Sequence, residues 1–204
     1  MKPAEETSKS GRKGADMIID ADTVLLPIDN QRGFDDSSWP RRWNKAAHAK
    51  GAALISAWRA AGRPIIHVRH DIIPPGRVLP PGHPGNAFRA GFEPLPGEPV
   101  VSKSVNSAFI GTDLHHRLRR PGASRIVAFG ISTDMCVSTT IRTGANMGWK
   151  MVLVPDASDC FDLPDGRGGM ISAEEVHRAH VPTLGFEFCE LTWTEALLER
   201  SAPA

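Results

Sequence analysis

The sequence predicts an α/β fold: three layers, α/β/α, around a six-stranded, mainly parallel sheet. Two observations carry this. Short apolar runs alternate with segments of helical periodicity along the chain, the pattern of parallel strands joined by crossover helices. Each run is apolar almost throughout, as a strand covered on both faces must be.

The elements follow in order. Thr23–Asp29 reads as a first buried strand, with Pro27 as an irregularity. Residues Lys45–Ala61 place Leu54, Ile55 and Trp58 at helical spacing, and Gly62 is a stop. Pro64–Arg69 is a second strand and Pro99–Lys103 a short third. Gly111–Arg120 is a helix ended by Pro121 and Gly122. Arg125–Ile131 is the fourth strand and Cys136–Met147 its helix, ended by Gly148. Lys150–Pro155 is a fifth strand. Ser172–Ala179 is a helix opened by a capping box, Ser172 with Glu175. Phe188–Thr192 is the sixth strand, followed by a helix over Thr194–Arg200.

Between Ile72 and Pro99 this rhythm breaks, with eight prolines. A long ordered connection of that kind is a functional loop or lid, or else a passive surface loop. Phe88 and Phe92 give it something to anchor.

At 204 residues and 41% hydrophobic content the chain suits one domain, placed at 17–204. Residues 1–16 are polar and read as a disordered tail or an arm on a partner subunit. Net charge is +1, from 24 basic and 23 acidic residues, so no basic excess points to nucleic acid or an anionic membrane surface. No apolar stretch approaches the length of a membrane span. Three scattered cysteines, 136, 160 and 189, form neither a disulfide framework nor a paired zinc motif. Reduced thiols in the cytoplasm are the expectation.

Cys136 carries the chemical reading. The apolar run before it is broken by Gly130, and Ser132, Thr133 and Asp134 are good helix N-caps. Cys136 is thus expected in the first turn of a helix, where free N–H groups and the dipole favour negative charge. There the thiol pKa should fall, and the same N–H groups could hold an oxyanion. The ordinary alternative is a small buried hydrophobe. Two further reactive residues, Asp29 and Lys103, also end predicted strands, and open α/β sheets bind ligands beyond the carboxyl ends of their strands.

Three motifs then give a specific resemblance. Asp29-Asn30-Gln31-Arg32-Gly33-Phe34 matches D-x-Q-x-x-F, Lys103 to Phe109 matches K-x-x-x-S-A-F, and Gly130 to Val137 matches G-x-x-T-D-x-C-V. Together, in this order, they resemble the isochorismatase-like cysteine hydrolase superfamily, over roughly residues 20 to 200. That superfamily includes nicotinamidases, N-carbamoylsarcosine amidohydrolase and streptothricin hydrolase. The resemblance implies strand order 3-2-1-4-5-6 and a catalytic triad of Asp29, Lys103 and Cys136. It implies a non-proline cis peptide at Ile131–Ser132, aiming the Ser132 N–H with that of Cys136 at one oxyanion. It also implies a homodimer or homotetramer. With that strand order, Lys103 must return over the strand ends, carried by its loop.

Gln31, Phe34, Asn106 and Ile131 are the expected lining of a substrate pocket. Gln31 is otherwise a turn residue, and Asn106 a cap for the next helix. Nicotinamidases of the superfamily hold a metal near the second strand. Here that region offers His67, His70 and Asp71 without the D-x-H cluster, so no metal and no other cofactor is expected. His177 and His180 share a helix face and read as exposed, as do His115 and His116. Asp134 is expected to cap the helix of Cys136. Arg69, His70 and Arg77 read as surface charge or as contacts to a polar substrate. Cys160 and Cys189 are expected to be inert, and Trp39, Trp43 and Trp58 to fill core or subunit contacts. The favoured activity is hydrolysis of an amide, lactam or ureido bond in a small molecule through a thioester. The alternatives are a vinyl-ether hydrolase, against which Cys136 counts, and a non-catalytic binding scaffold.

Overall fold

Val24, Leu25, Leu26 and Ile28 are fully buried, and they make the central strand of the sheet, β1 (Val24–Ile28). The computed structural model describes residues 19–71 and 78–201; the expected tail at 1–16 lies outside them. Strand β1 pairs in parallel with β2 (His67–His70) on one side and β4 (Ile126–Gly130) on the other. Outside β2 lies β3 (Val100–Lys103); outside β4 lie β5 (Met151–Leu153) and β8 (Glu190–Leu191). The order β3-β2-β1-β4-β5-β8 is the expected one, with every pairing parallel. The last strand is eighth in the chain because an antiparallel hairpin, β6 (Leu163–Pro164) with β7 (Met170–Ile171), intervenes. Its tight turn is fastened by Asp165 Oδ1, which accepts from Arg167 N and Gly169 N at 2.7 and 2.9 Å.

Pro27 explains why β2 starts late. The N–H groups of Leu25 and Asp29 bond the carbonyls of Pro64 and Val68. The N–H that proline lacks would lie between them, so the ladder opens there. The expected first half of the strand survives as the single bridge Leu25–Ile65.

Alternate residues of a strand face opposite sides, and this divides the core. Leu25, Val127, Phe129 and Val152 pack with Leu54, Ile55 and Trp58 of α1 (Ala47–Ala60) and Leu197 of α5 (Thr194–Ser201). On the other face Val24, Leu26, Ala128 and Leu153 meet α2 (Leu114–Arg119), α3 (Ser138–Asn146) and α4 (Ala173–Glu187). Helices α2 and α4 differ from expectation. Helix α2 begins at Leu114, whose N–H bonds the Thr112 hydroxyl at 3.3 Å and so fixes a turn ahead of it. Helix α4 opens on the expected capping box but runs on through Pro182. Proline removes one internal bond, while burial of Leu184 beyond it holds the last turns.

The described part of the proline-rich connection, 78–99, is packed down. Leu79 and Phe92 are fully buried, and Phe88 nearly so. Leu79 packs behind Phe34. Phe88 and Phe92 pack into the core on the α1 face of the sheet.

Candidate active site

Register builds the site. His70 and Lys103 are paired residues at the ends of β2 and β3, and Asp29 follows the end of β1. Lys103 reaches the site differently from the expectation. It is the last residue of its strand, and its four-carbon side chain, not a loop, crosses the end of β2. The Lys103 side chain is wholly buried, as is that of Asp29.

The Lys103 ammonium lies 2.6 Å from Asp29 Oδ2, 3.1 Å from His70 Nδ1 and 3.2 Å from Cys136 Sγ. An ammonium has three donors, and three acceptors surround this one. One of the donors faces His70 Nδ1. Asp29, His70 and Cys136 each bring a ligand atom within 4.8 Å of the others, a spacing that would suit a metal. The ammonium already stands among them as their shared cation. Asp29 itself has φ of 55°, in the left-handed region that Asp tolerates better than most residues. Its Oδ1 is buried and takes no hydrogen bond among the described residues.

Gly130 ends β4 and leads into the cis peptide Ile131–Ser132, which is present as the resemblance implied. The turn is held from two sides: Ile131 N bonds Ile28 O at 3.1 Å and Thr133 N bonds Asp159 O at 2.9 Å. Thr133–Val137 forms a π-helical turn that precedes α3. Cys136 is thus the fourth residue of a wide turn, not the opening of an α-helix. Asp134 does not cap it: Ser132 is the N-cap and makes no side-chain cap bond, while the Ser132 carbonyl accepts from Met135 N and Val137 N.

Cys136 and Ser132 line a cavity of about 380 Å³ with Phe34, Asn106 and Ile131, together with His70 and a set of apolar side chains. Gln31 does not line it. Its amide is fully used: Oε1 accepts from His70 N at 2.8 Å, and Nε2 donates to His70 O and Asn86 O at 3.0 and 3.2 Å. Gln31 clamps the backbone that carries His70. Asn106 is exposed, with Oδ1 3.9 Å from the sulfur.

An isochorismatase-domain family model matches residues 23–176. The chain belongs to the isochorismatase family. A solved hydrolase of this family from Chromobacterium violaceum is 40% identical, with a TM-score of 0.86 over 91% of this chain and 96% of that one. Streptothricin hydrolase from Streptomyces noursei is 36% identical over 115 residues, 56% of this chain and 45% of the relative. Maleamate amidohydrolase from Pseudomonas putida is 25% identical over 179 residues, 75% and 84% of the two chains.

In this isochorismatase-family hydrolase the thiol behaves opposite to the helix-start expectation. Burial pushes the Cys136 pKa up, the negative charge of Asp29 pushes it further, and Lys103 offsets only part. With Cys136 only 6% exposed, its thiolate loses more from desolvation than the turn returns. Burial likewise pushes Cys160 and Cys189 up to about 12, and the Cys160 thiol donates to Ala173 O at 2.8 Å. A thiol in the unfolded chain ionises near pH 8.5. Above that pH the unfolded family member sheds protons that the folded one keeps. Stability is therefore full below it and falls as pH rises, by about 1.4 kcal/mol per unit per thiol. The chain has no tyrosine, so no phenol competes in this window. Urea denaturation between pH 8 and 10 should show the midpoint falling, and Cys160→Ala should flatten the slope by about a third.

Two other expectations for the family member change. His177 is buried, not exposed: its Nδ1 donates to Thr133 Oγ1 at 2.9 Å, and that hydroxyl donates to Asp159 O at 3.2 Å. It supports the turn that carries Cys136, and burial lowers its pKa. Trp39 lines the cavity, whereas Trp58 is core and donates to Thr23 O. His70 is the member of this cluster that the sequence reading did not place beside Lys103 and Cys136. Its signal was its place at a strand's carboxyl end, which Asp29 and Lys103 share. Among the described residues no helix is long and apolar enough to cross a membrane.

Proposed function

We propose that this chain is a cysteine amidohydrolase, cleaving an amide, lactam or ureido C–N bond of a small molecule through a thioester acyl-enzyme. The observation that carries the reading is the Lys103 ammonium, bonded at once to the Asp29 carboxylate and to the sulfur of Cys136, a residue that lines a cavity. The names of maleamate amidohydrolase and streptothricin hydrolase among its relatives support it.

In the resting site the raised thiol pKa keeps Cys136 protonated. Asp29, with a carboxylate oxygen within 4.8 Å of the sulfur, takes that proton. The transfer leaves the buried group's net charge unchanged. Negative charge moves from one atom bonded to Lys103 to another, so little solvation is lost. The thiolate adds to the carbonyl carbon, and the N–H groups of Ser132 and Cys136 receive the oxyanion. Protonated Asp29 passes its proton to the leaving nitrogen as the C–N bond breaks. It then takes a proton from water as hydroxide attacks the thioester, and the C–S bond breaks to restore the thiol. His70, clamped by Gln31, holds the third N–H of the ammonium and so positions it.

The test is a panel of small amides assayed for ammonia, with acid quench and intact mass measurement during turnover. An acyl mass added to the Cys136 peptide, and absent from the Cys160 and Cys189 peptides, is the expected result. Steady ammonia release with no adduct, undiminished in Cys136→Ala, would overturn the covalent route.

A further inference from the structure

We infer that the substrate's acyl group is uncharged, flat and apolar, and that amides with a carboxylate on the acyl side are excluded. This rests on the amidohydrolase reading and narrows it. The cavity has two unlike ends. His70, Asn106, Ser132 and Cys136 gather at one, where the amide would lie. The rest is apolar, with Phe34, Trp39 and Phe161 as its aromatic part. Phe34 and Trp39 have ring centroids 5.1 Å apart, and Trp39 stacks on Phe161 at 5.2 Å and 22°. Trp39 is fixed by its Nε1, which donates to Gly33 O at 2.9 Å, so the indole presents a set surface to a flat group.

Charge decides the rest. No arginine or lysine lines this cavity among the described residues. The cations nearby are spent elsewhere: Lys103 on Asp29, Arg41 on Asp162, and Arg42 and Arg89 on Asp35. Arg42 and Arg89 open instead onto a separate cavity of about 350 Å³ that also touches Ile131. A carboxylate on the acyl chain would lie against apolar side chains with no cationic partner among the described residues, and an unpaired charge held away from water is strongly disfavoured.

Benzamide and 4-methylbenzamide, compared with maleamate and succinamate, test this. We expect kcat/KM for the neutral pair to exceed that for the anionic pair by about 100-fold. Leu163→Arg, on the cavity wall in β6, should move that ratio at least about tenfold towards maleamate, and Leu163→Gln should not. Equal or better turnover of the anionic amides by the wild-type chain overturns the inference while leaving the amidohydrolase reading intact. If no amide is turned over, that reading fails instead. Calorimetry with Cys136→Ala then still tests the cavity: tighter binding of maleamate than of benzamide would sink the inference, and the reverse would sustain it.

Discussion

Lys103→Met and Asp29→Asn should each destabilise the fold by about 3–5 kcal/mol, while the double variant should recover most of that loss. The two side chains are wholly buried and 2.6 Å apart. Removing either partner leaves a charge, or a group that must give its charge up, in a place water cannot reach. Removing both leaves an apolar stem beside a neutral amide. Asn suits the position because it also tolerates the left-handed backbone of residue 29. Activity should not follow stability. Each single variant and the double should lose roughly 10³-fold or more in kcat/KM, since on the proposed mechanism they remove the base and the cation shared with the sulfur. Urea denaturation of the four proteins gives the coupling energy, and ammonia release gives the rates. If the double variant is as unstable as the sum of the singles, the pair is not the electrostatic unit described. If Lys103→Met keeps turnover within tenfold, the ammonium is dispensable to the chemistry.

The contrast between recovered stability and lost activity also explains what was readable in the chain. Asp29, Lys103 and Cys136 stood out because each follows an apolar run, and strand ends in such sheets converge. The strand order rests on the same alternation. His70 ends a strand too, but a histidine flanked by Arg69 and Asp71 looks like any solvated loop residue. Only the register of β2 against β3 places it beside Lys103. The thiol pKa went the wrong way because capping residues mark a turn without marking its depth. Cys136 sits under packed side chains, and burial outweighs the dipole. The cavity was less legible still. Trp39 and Phe161 are 122 positions apart, and no local pattern announces that they stack. His177 reads as a surface residue on periodicity alone; its hydrogen bond to Thr133 exists because the nucleophile turn fits against α4.

Gly130→Ala should cost about 3–5 kcal/mol and remove activity even under conditions where the variant stays folded. Two effects combine at this residue. Its φ of 139° is one that side-chain-bearing residues rarely adopt, and a Cβ there would strike the Ile28 carbonyl oxygen, with the Ile28 carbon at 2.9 Å and nitrogen at 3.0 Å. The backbones of β1 and β4 can approach this closely only without a side chain between them. Ile28 immediately precedes Asp29, and Gly130 immediately precedes the Ile131–Ser132 turn, so the collision would push the carboxylate and the nucleophile turn apart. Gly62→Ala separates the two effects. Gly62 also has a positive φ, 62°, but a Cβ there meets nothing within 4 Å. That variant should lose only about 1 kcal/mol and keep wild-type turnover. Denaturation midpoints and ammonia-release rates for both variants decide the matter. Full activity in Gly130→Ala would mean that the spacing of β1 and β4 does not set the distance between base and sulfur.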